Sequence, residues 1–189
     1  MRTRLAALGA AAGLLALTGC NHEEPAAQTL PPVQVVTEPA ASAGGACILW
    51  DYAFIKEKIG VAFTVAASDT VDDTSTCVVR TEAAEVPYLV LTVVATTTAD
   101  AELFTDDLMP AKATRLKGLG QAGYRLVGRP TGSAGPTVEV GWLSEADQLQ
   151  SLKFTFAKDA RADAVQRMSS RLVDLARAMD TTDGEGDPK

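Results

Sequence analysis

The chain has 189 residues, with 24 acidic and 17 basic side chains and a net charge of −7. That balance disfavours nucleic acid and anionic lipid surfaces as partners. The length suits one folded domain and a tether.

The first stretch is the most informative. Arg2 and Arg4 precede a short apolar run that ends in Leu17-Thr18-Gly19-Cys20. A basic start, an apolar core and small residues before a cut are the features of a secretory signal peptide. The run is too short to span a bilayer well, which takes roughly 20 apolar residues. Leu-Thr-Gly-Cys resembles the lipobox of bacterial lipoproteins. The resemblance implies that residues 1–19 are removed and that Cys20 is acylated. The mature chain then sits on the extracytoplasmic face of the plasma membrane, anchored by lipid. An ordinary secretory signal with a chance cysteine and an uncleaved anchor are the alternatives. Without Arg2 and Arg4, 15 basic residues face 24 acidic ones, a net of −9. Such a protein meets its membrane through acyl chains on Cys20, not through a basic patch. Each buried methylene contributes about 0.8 kcal/mol, and stable anchoring takes more than one chain or a second signal.

Three cysteines occur, Cys20, Cys47 and Cys77. Lipidation uses the first. Two remain in an oxidising compartment, which reads as one disulfide, Cys47–Cys77. Two buried thiols are the alternative. No cluster of Cys or His near either one suggests zinc.

Residues 20–45 read as the lipid-anchored tether, with Pro25, Pro31, Pro32 and Pro39 among small and polar residues. Proline keeps such a segment extended and little in it can form a core. Val33, Val35 and Val36 offer at most a short edge strand. The single domain is expected over residues 46–180. Leu49, Tyr52, Ile55 and Ile59 recur at helical spacing until Gly60. Residues 61–67 read as a strand or an extended loop, and residues 68–75 as an acidic turn. A strand is expected over 77–80 and a hairpin turn over 82–87. The clearest strand covers 88–97, with Leu89, Leu91 and Val93 alternating with Val90, Thr92 and Val94.

Asp100 caps a second helix that Pro110 breaks or kinks, with residues 111–116 as its continuation. Residues 118–123 form a glycine-rich turn. Strands follow over 124–127, 137–143 and 149–156, with a hairpin loop at 129–136. Asp159 caps a last helix from Ala160 to Met179, whose stripe is Val165, Met168, Leu172, Leu175 and Met179. Arg161, Arg167, Arg171 and Arg177 lie largely off that stripe, as a solvated face more than a binding patch. Residues 181–189 read as a disordered tail. The order predicts an α+β domain: an antiparallel sheet of about five strands, with helices packed mainly on one face. The core should include Leu91, Val140, Phe154, Phe156, Val165 and Leu172.

The lipobox, the proline-rich tether, Cys47 before a short helix, Cys77 opening a strand, Gly118-Leu119-Gly120-Gln121-Ala122 and the terminal helix occur in one order. The whole resembles small secreted actinobacterial lipoproteins built on a paired-cysteine domain of unknown function. The resemblance covers about residues 45–179. It implies roles for Cys20 as the acylated residue and for Cys47 with Cys77 as the bridge, and no catalytic residue.

The chemistry-bearing residues point away from catalysis. His22 is the single histidine and lies in the tether, where nothing holds it within reach of a proton. Ser151, Lys153 and Lys158 lack a motif for Ser-Lys chemistry. Asp72-Asp73 and Asp106-Asp107 are adjacent carboxylates, and neighbours in sequence do not supply the spaced oxygens of a calcium loop. Carboxylate pairs for glycoside hydrolysis stay open, since they need a separation that is not a sequence property. Residues 118–123 precede a strand and lack the lysine of a P-loop, so a turn is the better reading. Trp50, Tyr52, Tyr124 and Trp142 are core candidates; Trp50, beside the bridge, is also a candidate partner contact. The expectation is a non-enzymatic envelope module without cofactor or metal. It binds or scaffolds another envelope protein. The alternative is a carrier or sensor of a small apolar or lipid ligand.

Overall fold

The computed structural model describes residues 37–95 and 98–183. The expected leader, Cys20 with its expected acylation, His22, Val33, Val35, Val36 and the last six residues lie outside the described residues.

The strands are β1 (Val65–Val71), β2 (Thr74–Arg80), β3 (Tyr88–Ala95), β4 (Thr114–Leu116), β5 (Ala122–Gly128), β6 (Thr137–Leu143) and β7 (Gln148–Thr155). They form one antiparallel sheet in the order β1-β2-β3-β7-β6-β5-β4. The helices are α1 (Tyr52–Ile59), a single turn α2 (Ala101–Leu103) running into a π-helical turn (Phe104–Leu108), and α3 (Ala162–Asp183). The class is α+β, as its alternating strands and long amphipathic last helix dictate.

The sheet has seven strands rather than about five. Residues 68–75 are not one acidic turn. Ser68–Val71 continue β1, Thr74 and Ser75 open β2, and the turn is Asp72-Asp73 alone. Asp72 adopts φ +50, a left-handed conformation that aspartate tolerates better than most residues. Nor do residues 111–116 continue the second helix. That helix stops at Met109, ahead of Pro110, and Lys112 turns the chain with φ +71. Thr114–Leu116 then pair with β5.

Two meanders, β1-β2-β3 and β4-β5-β6-β7, meet at the β3–β7 seam. The connection from β3 must travel from the middle of the sheet to its far edge. It does so across the face opposite α3. The helices lie mainly on one face, α1 and α3 on the main core; the exception is α2, which with its π turn covers part of the second face, where Phe104 packs with Tyr124, Leu143 and Leu149.

The first face carries the main core. Cys77, Val79, Leu89, Leu91, Val138, Val140, Trp142, Leu152 and Phe154 line it, and the stripe of α3 packs on them. All six core residues expected from the sequence are buried. α1 begins at the N-cap Asp51, whose Oδ1 accepts from Phe54 N at 2.9 Å, and ends at Gly60 in the left-handed region. It buries Ile55 and Ile59 alongside α3.

Three boundaries move. Short 3-10 turns at Ala40–Ala43 and Gly45–Leu49 precede α1, and Ala40 is fully buried, so packed structure begins ahead of residue 46. α3 starts at Ala162, not Ala160, because Arg161 O receives its first amides, from Ala164 and Val165; Asp159 does not open it. At the other end α3 runs to Asp183, past the expected tail boundary. Asp180 Oδ2 accepts from Gly120 N at 2.8 Å, which ties that last stretch to the body of the fold. Gly120 has φ +52, and a Cβ there would strike the Leu143 carbonyl, so the loop closes this tightly only with glycine.

Candidate functional site

The bridge sets the first site. Cys47 lies in the 3-10 turn Gly45–Leu49 and is bonded to Cys77 of β2. Both are fully buried. Ala46 N donates to Ser75 Oγ at 2.7 Å, and Ser68 Oγ donates to Ala43 O. The turn is thus held on β2 by one covalent bond and one hydrogen bond, and the preceding 3-10 turn, Ala40–Ala43, is held on β1 by the other.

This geometry decides which side chains face out. A 3-10 turn has three residues per turn, so residues three apart share a side. Cys47 and Trp50 share the inner side and are buried. Ile48 and Leu49 are left outside, 66% and 41% exposed. They border an open cleft of about 370 Å³ whose other walls include Ala46, Val93 and Ala146. Trp50, the residue read from sequence as a possible partner contact, is core. Leu49, read as part of the α1 stripe, lies before α1 begins. Ile48 carried no earlier reading; the signal was its position between a bridging cysteine and a tryptophan at i+3.

The second site is a groove of about 250 Å³ on the opposite face, between β3, β7 and β6 and the π-helical turn. Gly141 forms its floor. Tyr124 is directly opposite in register, and a Cβ on Gly141 would meet its ring at 2.5–2.7 Å. Glycine in mid-strand here lets the tyrosine lie flat across β6. Phe104 stacks on that ring with centroids 5.9 Å apart. The Tyr124 hydroxyl donates to Glu139 Oε1 at 2.7 Å, and Glu139 Oε2 pairs with Lys153 Nζ at 3.5 Å. Burial, and then the Glu139 carboxylate, push the phenol above its ordinary value of 10. It stays protonated at neutral pH, a fixed donor rather than a base.

A third cleft, about 330 Å³, opens between α1, β7 and α3. Phe154, Phe156 and Met168 form its apolar walls and Arg167 and Arg171 its rim. Arg171 Nη1 donates to Ile59 O at 3.1 Å, closing the end of α1. All three clefts are open to solvent.

The remaining sequence candidates do not converge. Ser151 and Lys153 share one face of β7, but the lysine is engaged by Glu139, and Lys158 is in a separate turn. Asp72 and Asp73 sit exposed in the β1–β2 turn. Asp106 pairs with Arg115 at 3.5 Å, both exposed. The expected turn over residues 118–123 is shorter: residues 118–121 bend the chain, with Gly118 and Gly120 at positive φ, and Ala122 and Gly123 already belong to β5, paired with β6. Arg177 donates to the carbonyls of Gly118 and Lys117, at 3.3 and 3.1 Å, so part of the arginine row holds loops in place instead of standing free. Among the described residues, no group of three or more His, Cys, Asp or Glu is arranged to hold a metal ion. No helix among them is long and apolar enough to cross a membrane.

No known protein family, no curated protein and no solved structure matches this chain.

Proposed function

We propose that the chain is a lipid-anchored cell-envelope protein that binds another envelope protein by contact, without catalysis. The observation that carries the reading is the Ile48–Leu49 pair. Two adjacent aliphatic side chains are presented to solvent by a turn that a buried disulfide fixes in place. Exposing them leaves apolar area in water, at roughly 25 cal/mol per Å², and adjacent apolar side chains held exposed beside a cleft form the kind of patch that marks a protein contact. The leader and Leu17-Thr18-Gly19-Cys20 supply the address, with acyl chains on Cys20 holding the module at the membrane surface. Its acidic balance argues against nucleic acid as partner.

The test places a photo-crosslinking residue at Leu49, and separately at the exposed Val127 of β5, in the full chain in its native envelope. A discrete protein adduct from position 49 alone, lost in Ile48→Ser, is the expected result. Equal adducts from both positions would remove the site. The third cleft favours the carrier reading, because its apolar walls lie under an arginine rim. Lipid adducts from the same crosslinker at Ala160, on the wall of that cleft, with no protein adduct at position 49 and lipid retained through purification, would shift the function to that reading.

A further inference from the structure

The two edges of the sheet are protected differently. At one edge β4 is three residues long and carries Arg115, which a neighbouring carboxylate engages. Short, charged edges resist pairing with another chain. At the other edge β1 runs for seven residues, with no proline and no lysine, and its register against β2 has no bulge. Ala67 and residues 69–71 are exposed.

The two-residue turn makes Val71 and Thr74 the closing pair. Bonding alternates along an antiparallel ladder. Val65, Ala67, Asp69 and Val71 therefore bond inward to β2, and the N–H and C=O groups of Ala66, Ser68 and Thr70 point outward. Thr70 N–H takes its own neighbour's carboxylate, Asp69 Oδ1, at 2.9 Å. A side chain fills in where no strand of the described residues lies alongside. Among the described residues no backbone group pairs with the outward amides of Ala66 and Ser68. The same edge is acidic. Asp69, Asp72 and Asp73 stand exposed at its turn end, and none has a cationic partner among the described residues.

We infer that β1 takes up an extended segment of a partner protein bearing lysine or arginine, as an eighth strand. The inference rests on the reading of the chain as a contact module and names the partner's chemistry. Main-chain bonds to Ala66 and Ser68, and to the Thr70 carbonyl, supply the attachment, as in other strand additions. A cation across from Asp69 makes a favourable cross-strand pair, and Asp72 and Asp73 extend the negative field past the strand end. The outer groups of β1 admit a segment of either direction, and the charges set which residues it carries.

The probe is a seven-residue peptide alternating lysine and valine. One control replaces lysine by glutamate, another places proline at the centre. The full chain is held in detergent micelles, and amide hydrogen exchange is followed over residues 65–71. The lysine peptide should slow exchange there on the order of tenfold, and neither control should. The slowing should be lost in Asp69→Asn/Asp72→Asn/Asp73→Asn, which removes the charge, keeps an acceptor for Thr70 N–H and keeps at position 72 a residue that tolerates positive φ, so that an unchanged Tm reports an intact fold. Ser68→Pro should also abolish it by removing an outward amide. No slowing by the lysine peptide overturns the inference, as does equal slowing by the glutamate peptide. Slowing that grows with protein concentration in the absence of peptide also overturns it, because β1 then pairs with a second copy. A protein adduct at Leu49 without any protection of β1 would defeat this inference alone; protection of β1 without that adduct would leave it standing and remove the Ile48–Leu49 site.

Discussion

The sheet has one face that is finished and one that is half finished. Under α3 a single core runs from Ala40 through Trp142 to Met179, and a buried disulfide ties its near end. On the other face a small cluster of Ala99, Phe104, Tyr124 and Leu143 sits beneath one π-helical turn. Val78, Val90 and Val94 beyond it remain half-exposed. The difference comes from chain order. α3 follows the last strand and is long enough to cover a face. α2 belongs to a crossing that must end at the far edge, and it covers only what lies beneath its path.

The comparison is broken most strongly at the disulfide. Cys47→Ala/Cys77→Ala should cost about 3–4 kcal/mol, the chain-entropy value for a loop of some 30 residues. Urea unfolding of the oxidised protein checks this. The loss should be accompanied by faster amide exchange at residues 45–50, since without the bridge the turn is held on β2 by the Ala46–Ser75 hydrogen bond. Unchanged exchange there would mean that the bridge does not hold the Ile48–Leu49 surface.

A matched pair of leucines sharpens the contrast. Leu172→Ala, in the fully buried stripe of α3, should cost about 3 kcal/mol, transfer and cavity together. Leu126→Ala, half-buried at the margin of the small cluster, should cost about 1 kcal/mol, because much of its area is already in water. Equal losses in urea would show that both faces are equally packed.

Tyr124→Phe comes next, at about 1 kcal/mol for one hydrogen bond to a carboxylate that keeps its lysine. It also has a pH signature. The folded phenol titrates above its ordinary value of 10, through burial and then Glu139. Its stability is fully present below pH 10 and is lost as pH rises from there toward the folded value. The alkaline unfolding limb should therefore be shallower in Tyr124→Phe than in the parent protein.

The stripe of α3 was legible because five apolar residues at helical spacing have one way to be buried. So was β6, whose Val138, Val140 and Trp142 alternate onto the core face. The landing face of α2 was not legible. It depends on where β4 pairs, and that is a long-range property of three residues, Thr114–Leu116, with little pattern of their own. β1 was hidden by its aspartates: Asp69 is strand and only Asp72-Asp73 are turn, a distinction made by pairing with β2. The Ile48–Leu49 surface was half legible. The run Cys-Ile-Leu-Trp shows four apolar residues, and only the threefold period of the turn separates the inner pair from the outer one. The pairing of Cys47 with Cys77 needed no geometry, since setting Cys20 aside for the expected lipid leaves one pair.

The smallest effect lies on the solvent side of α3 and runs opposite in pH to Tyr124. Asp163 is in the first turn of that helix, where its carboxylate accepts from Arg167 Nη1 at 2.7 Å, one turn along. Arg161 Nε stands at 3.4 Å on its other side. The Arg167 hydrogen bond first, and then the two guanidinium charges, hold the carboxyl below its ordinary value of 3.8. A group depressed in the folded state stabilises the fold above its unfolded pKa, and that contribution is lost as pH falls through the folded pKa. All three side chains are in water, so salt and side-chain entropy keep the contribution small. A carboxyl NMR titration should place Asp163 below 3.8, and Arg167→Ala should move it back toward that value. The urea midpoints of parent and variant should differ slightly at neutral pH and coincide once Asp163 is protonated in both. A midpoint that does not move in Arg167→Ala would assign the depression to Arg161 or to the helix N-terminus instead, and would leave this flank of α3 without a working ion pair.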